Sequence, residues 1–213
     1  MLIHNLYLYF CAAILCILFQ IIHFLVNRKN SSGNVSIKKT IMVHTFIIYL
    51  SFVYDVTTIY GVFWRIWENG AANISLERIY LIPFTTVSIY NPMPYLLNIL
   101  MTIPLGFLLP MIWSDFRSPK KVALAGFLLS LTIEITQLFT GWRLSATDDL
   151  IANTLGAVIG YFIFKVLIEI FKNLENKPLP LKIKNEAVYY LMFSFIGAFL
   201  LYYSDIIRYL RNW

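Results

Sequence analysis

Six stretches of this 213-residue chain are each apolar over roughly 20 residues, the length that crosses a bilayer as one helix. They are residues 6–26, 41–64, 94–113, 122–140, 150–171 and 187–207. Charged residues make up 13% of the chain, against about 25% in a soluble domain. The hydrophobic share is 59%, which leaves no length for a sizeable soluble domain. In hydrocarbon every backbone polar group must be satisfied within its own segment, so such runs fold as helices. The expected fold is therefore all-α: a polytopic integral membrane bundle of about six transmembrane helices, with residues 1–213 as a single membrane domain. The first run lacks a basic leader and a small-residue cleavage site, so it reads as a retained helix.

Lysine and arginine set the orientation of such a bundle. If six helices alternate, 12 of the 17 basic residues fall on one side. These are Arg28, Lys29, Lys38 and Lys39, then Arg117, Lys120 and Lys121, then Lys165, Lys172, Lys177, Lys182 and Lys184. The other side keeps Arg65, Arg78, Arg143, Arg208 and Arg211. Both termini are then outside, and the basic loops face the cytoplasm of a multi-pass cell-membrane protein. The formal charge of +6 reads as this topology signal, since the basic residues sit in short loops beside anionic headgroups. Nucleic acid is not an expected partner; membrane lipids are.

Cys11 and Cys16 are five apart in the first run and are expected on different faces, so neither a disulfide nor a metal site follows. His4, His23 and His44 are scattered and lack metal-ligand spacing, so no metal and no cofactor are expected. Residues 65–93 form the one long connection, an outer loop. Its apolar, aromatic part is too short to span and is interrupted by Pro83, which predicts an interfacial segment or one that dips back toward the helices. Tyr80, Phe84 and Tyr90 suit headgroup depth.

Within this apolar chain, residues 130–161 place Glu134 inside a spanning run. Arg143, Asp148, Asp149 and Asn153 follow around the turn into the next. A charge in hydrocarbon costs at least a few kcal/mol, so such a group marks a functional site by default. Helical spacing aligns Ser130, Glu134 and Gln137 on one face of the fourth run. It aligns Asp149, Asn153, Gly156 and Gly160 on the fifth, and Asn98, Thr102 and Gly106 on the third. Lipid cannot satisfy these stripes, so they are expected to face one another, with Gly156 and Gly160 permitting close approach. Glu134 is expected about six residues, or ~9 Å, inside the outer boundary.

Two readings follow. The stripes bond helix to helix, with Glu134 in a buried ion pair with Arg143. Or they line a small outward pocket, with Glu134 at its base, Arg143, Asp148 and Asp149 at its rim, and Asn98, Gln137 and Asn153 in its wall. Asp55, in the second run, either joins this pocket or pairs with a loop arginine.

These residues resemble the VanZ-like family of bacterial membrane proteins. LIPF at 81–84, NILMTIPLGFLLP at 98–110 and SLTIEITQLFTGWRLSATDDLIANTLGAVIGY at 130–161 carry the resemblance. The resemblance covers a core of residues 80–162 and leaves the first and sixth runs outside it. Tyr80 stands where the family often has Asn, and Ala146 where it usually has an acidic residue. The resemblance implies a role in glycopeptide resistance, notably to teicoplanin, in the cell envelope of Gram-positive bacteria. A lipoglycopeptide or a cell-wall precursor is the implied ligand.

Three functions compete: a non-enzymatic binder of an amphiphile or lipid headgroup, an enzyme acting on a lipid-linked envelope precursor, and a scaffold for another envelope protein. In the enzyme, Glu134 would be the acid or base and Arg143 a phosphate or carboxylate clamp. No Ser–His pair or HxxxH spacing accompanies Glu134, which favours the binder.

The topology is open to a direct test. Cysteine substitutions at Ala71 and Ala146 should label with an impermeant thiol reagent in intact cells, and those at Asn34 and Lys182 should not. Labelling at position 34 would reverse the orientation.

Overall fold

A computed structural model describes residues 2–27, 37–60, 62–69, 78–84, 92–140, 143–171 and 185–201. Among them lie seven α-helices: α1 (Leu2–Asn27), α2 (Ile37–Val56), α3 (Val62–Asn69), α4 (Met93–Ile112), α5 (Pro119–Gln137), α6 (Thr147–Ile170) and α7 (Glu186–Leu200). Three of these, α2, α4 and α6, are long and apolar enough to cross a membrane. The expected all-helical fold needs one correction. Two-residue strands β1 (Ile79–Tyr80) and β2 (Ser145–Ala146) pair in parallel, Ile79 opposite Ser145 and Tyr80 opposite Ala146. No apolar alternation announces strands this short.

The second apolar run does not form one helix. It breaks after Val56, where Thr58 takes a left-handed φ of 62°. Thr57 turns its hydroxyl onto Val53 O at 2.7 Å, and Thr58 turns its own onto Thr57 O at 2.7 Å. Threonine hydroxyls that bond nearby backbone offer an alternative to the helical ladder, and two in succession end it here. The fourth run also stops early: α5 ends at Gln137 and residues 138–140 form a turn, with Thr140 N–H on Gln137 O.

The chain divides into two compact units. One comprises residues 1–68 and 182–213, so it contains α1, α2, α3 and α7. There α1 runs antiparallel to α7: Cys11 Sγ reaches Leu201 O at 3.1 Å and Cys16 Sγ reaches Tyr190 O at 3.6 Å. Both cysteines therefore serve one interface, which corrects their expected placement on different faces; both are free thiols. Gly197 makes this approach possible, since a Cβ there would lie 2.1 Å from Cys11 O. Tyr54 and Ser194 hydroxyls meet at 2.9 Å, and Lys39 Nζ pairs with Glu186 Oε2 at 2.6 Å. The ion pair brings the first turns of α2 and α7 together. Asp55, exposed in the last turn of α2, belongs to this unit.

The other unit, residues 69–181, contains α4, α5, α6 and the β pair. Its core is the crossing of α4 and α6. A Cβ on Gly156 would sit 2.2 Å from Ile99 O, one on Gly160 2.0 Å from Ile103 O, and one on Gly106 1.8 Å from Ala157 O. Backbones this close exclude any side chain. Successive contacts climb both helices together, so α4 and α6 run parallel. α5 runs antiparallel to α6: Gly126 faces Ala157 near one end and Ser130 meets Asn153 farther along. Pro104 and Pro110 lie within α4, and Arg117 Nε, in the turn after it, approaches Pro110 O at 3.4 Å.

Leucine at position 156 or 160 should therefore fail to pack. The carbonyls it meets belong to a helix backbone and cannot swing aside, so the cost should exceed the roughly 1–3 kcal/mol of ordinary overpacking. Monodisperse yield in detergent should collapse for Gly156→Leu and Gly160→Leu and survive for Leu155→Ala, whose side chain is exposed.

Candidate functional site

The polar residues gather where the first turns of α4 and α6 meet the last turn of α5, with the β pair beside them. Each stripe finds its neighbour. Asn98 Nδ2 donates to Asp149 Oδ1 at 2.7 Å, joining α4 to α6. Asn153 Nδ2 donates to Ser130 Oγ at 2.8 Å, joining α6 to α5. Ser130 Oγ in turn approaches the backbone oxygen of Asp149 at 3.4 Å. Thr102 lies against Gly156, where a Cβ would come within 2.2 Å of its hydroxyl oxygen. The hydroxyl donates back to Asn98 O at 3.1 Å. The convergence follows from the α4–α6 crossing, because closely packed backbones bring short side chains within hydrogen-bond reach.

Glu134 is buried and its Oε2 accepts the Ala146 N–H at 2.9 Å. The Ser145 side chain bonds it as well. Ala146 is the N-cap of α6 and has no side-chain oxygen to serve the exposed amides of the first turn. The carboxylate of another helix supplies the negative end instead, at a site the helix dipole also favours. Because α5 ends at Gln137, Glu134 lies three residues from the helix end, about 4.5 Å along the axis. This is shallower than expected, and the early stop of the helix is the reason. Arg143 lies within electrostatic reach of both Glu134 and Asp149. Its backbone N–H donates to Thr140 Oγ1 at 3.3 Å, which ties the turn before β2 to the end of α5.

Asp148 does not stand open at a rim. It is 2% exposed, and its Oδ1 accepts the backbone N–H of Phe84. The neighbouring Thr147 hydroxyl donates to Leu81 O at 2.9 Å. Together with the β pair, these bonds fold residues 78–84 back onto the start of α6. The expectation of a loop dipping toward the helices holds for this stretch; Tyr90 lies outside the described residues. The holding role of Asp148 was not read from the sequence. The one signal for it was the shared presence of LIPF and DD in the family-like core.

Of the seven residues singled out, Asn98, Glu134, Arg143, Asp149 and Asn153 are drawn together, with Asp148 beside them. Gln137 closes α5 and is buried; its backbone oxygen accepts the Thr140 hydroxyl at 2.8 Å. Two carboxylates are occupied by backbone amides. Asp149 and Arg143 are the charged groups that remain half-buried. Asn153 keeps a buried Oδ1 with no hydrogen-bond partner among the described residues. Ala146 is 6% exposed beneath this assembly, so a cysteine there would be shielded. Leu144, 50% exposed, is the better labelling position.

The glutamate's role as a remote cap can be measured. Glu134→Gln keeps an oxygen for the Ala146 amide, whereas Glu134→Ala strands it. Leaving a buried donor unsatisfied costs about 1–3 kcal/mol. Thermal unfolding in detergent should place Glu134→Ala well below Glu134→Gln, with Gln close to wild type.

Neither the curated proteins nor the solved structures include a match to this chain. A family model does match: VanZ/LLP1, over residues 6–169. The match is wider than residues 80–162. It takes in α1, which the motifs alone had left out, and ends before α7. With most of its length matched, and its polar signature gathered at one end of a three-helix unit, this chain belongs to the VanZ/LLP1 family.

Proposed function

We propose that this chain is a multi-pass protein of the bacterial cell membrane, with six spans and both termini outside. In this reading it takes the polar head of an amphiphile at the Glu134–Arg143–Asp149 cluster. The helix directions support the topology. Parallel α4 and α6 with antiparallel α5 are what alternation across a bilayer requires. The Lys39–Glu186 pair sets the starts of α2 and α7 at one depth, on the basic side. The cluster then faces outward.

One observation carries the binding reading. At this end of the bundle Asp149 and Arg143 stay half-buried, while the polar groups deeper in the stripes are sealed. A head group bearing both a cation and an anion would find a partner for each. The Asn153 carbonyl beneath, still in want of a donor, suits a hydroxyl or amine. Glu134 is held by the Ala146 amide, which favours a positioning role over proton transfer. Family membership supports the wider role, glycopeptide resistance of the teicoplanin type in Gram-positive bacteria. Teicoplanin-type compounds carry a fatty-acyl tail and act at the outer face, where the cluster lies in this topology.

The test is teicoplanin susceptibility in a sensitive Gram-positive host. Wild-type chain should raise resistance, and Asp149→Asn, Arg143→Gln and Glu134→Gln should lower it at unchanged membrane level. The Glu134→Gln/Arg143→Gln double variant should lose little more than either single one, because contacting groups are non-additive. Strictly additive losses would mean the two residues do not share a site. A lipid-linked wall precursor that accumulates in the variants would mean an enzyme instead.

A further inference from the structure

We propose that residues 78–84 form a phospholipid-binding anchor, in which Arg78 takes the lipid phosphate while Leu81, Ile82 and Phe84 enter the acyl boundary. This rests on α6 crossing a bilayer, and it is independent of what the Glu134–Arg143–Asp149 cluster binds. Two separate observations meet in this segment.

The first is an apolar tip held rigidly in the open. Leu81, Ile82 and Phe84 are 76%, 71% and 69% exposed. A mobile loop with such side chains would fold them inward. This one is fastened by the β1–β2 pair, by the Thr147 hydroxyl on Leu81 O, and by the buried Asp148 carboxylate on the Phe84 amide. Phe84 is held at a φ of 66°, a conformation unfavourable for a bulky residue. A buried acid and a strained backbone thus hold apolar side chains outward. That arrangement suits an apolar solvent. The attachment to Thr147, the first residue of α6, sets the depth: the tip lies at the end of a spanning helix, where headgroups give way to acyl chains.

The second is Arg78, directly before β1. Its Nη1 is buried and meets no hydrogen-bond partner among the described residues. A buried guanidinium nitrogen without an acceptor is costly. Arg78 as a whole is only half-buried, so a rotation of its side chain out of this unpaired position brings the guanidinium to a phosphodiester oxygen of the surrounding bilayer, whose geometry its fork matches. A cation beside an apolar wedge is the pattern that holds an anionic phospholipid by its head and its tails at once.

The experiment uses the full chain purified from vesicles of phosphatidylcholine with phosphatidylglycerol, with retained lipid read by native mass spectrometry. Wild type should retain phosphatidylglycerol. Arg78→Gln should retain it about tenfold less well, the effect of one lost charge-assisted bond. Phe84→Asn, which accepts a positive φ but is polar, should weaken retention of the same lipid. Leu155→Ala, at an exposed position of α6, should leave it unchanged, which separates this anchor from general lipid contact along the helices. Phe84→Asn also serves as the test if Arg78→Gln does not fold. Wild-type retention by both variants would overturn the proposal. So would displacement of the lipid by millimolar glycerol phosphate, since it would show a phosphate site that needs no acyl chains.

Discussion

The backbone contact between α4 and α6 is what the rest of the 69–181 unit depends on. Gly106, Gly156 and Gly160 bring no side chain of their own to the crossing, and carbonyl oxygens come within 1.8–2.2 Å of where a Cβ would stand. At such a separation even asparagine and aspartate, with two or three side-chain bonds, reach from one helix to the other. The Asn98–Asp149 bond is the result. A crossing built on leucine would hold the axes 8–10 Å apart and leave those groups facing lipid, where their desolvation would go uncompensated. The glycines and the polar residues are thus one device, the first making the second affordable in an apolar medium.

α5 completes it from the other side, and here the carboxylate works differently. Glu134 reaches past its own helix to the amide of Ala146, the N-cap of α6. The same carboxylate also bonds the Ser145 side chain, so it holds β2 at the place where β1 pairs. Three short segments far apart in sequence, 79–80, 134 and 145–146, are fixed by a handful of bonds. This explains how a strand pair of two residues each persists: it is not a sheet but a clasp over the end of a helix.

Much of this was legible beforehand. The polar stripes on the third, fourth and fifth apolar runs follow from spacing, and the structure brings Asn98, Ser130, Asp149 and Asn153 into direct bonds. Spacing works because helices are rigid and lipid punishes a misdirected polar group. Boundaries were less legible. The break after Val56 depends on a left-handed threonine, and the end of α5 on a three-residue turn that is as apolar as the helix it stops. Hydropathy measures solvent preference and is blind to backbone dihedrals. The clasp was the least legible part, since a two-residue strand has no period and the amides of Phe84 and Ala146 carry no side-chain signature. The cysteines fall between these cases. Five residues along a helix turn through about 140°, yet a partner helix crossing at an angle meets both.

The three carboxylates at this end of the bundle show how a membrane protein keeps acids without filling the region with cations. Glu134 and Asp148 are each met by a backbone amide, a dipole already present that needs desolvating with or without them. Asp149 is met by a neutral side-chain amide from Asn98. A full ion pair would bring two desolvation penalties, and amides bring far less. The division also sorts the acids by what they are free to do. An acid on a backbone amide holds a fold in place, and replacing its partner would mean moving the chain. Asp149, half-buried beside Arg143, can change partners with a rotation about a side-chain bond. Asp149, bonded to Asn98, and Arg143 are the half-buried charged groups at this end, and the other two acids set the frame in which they stand.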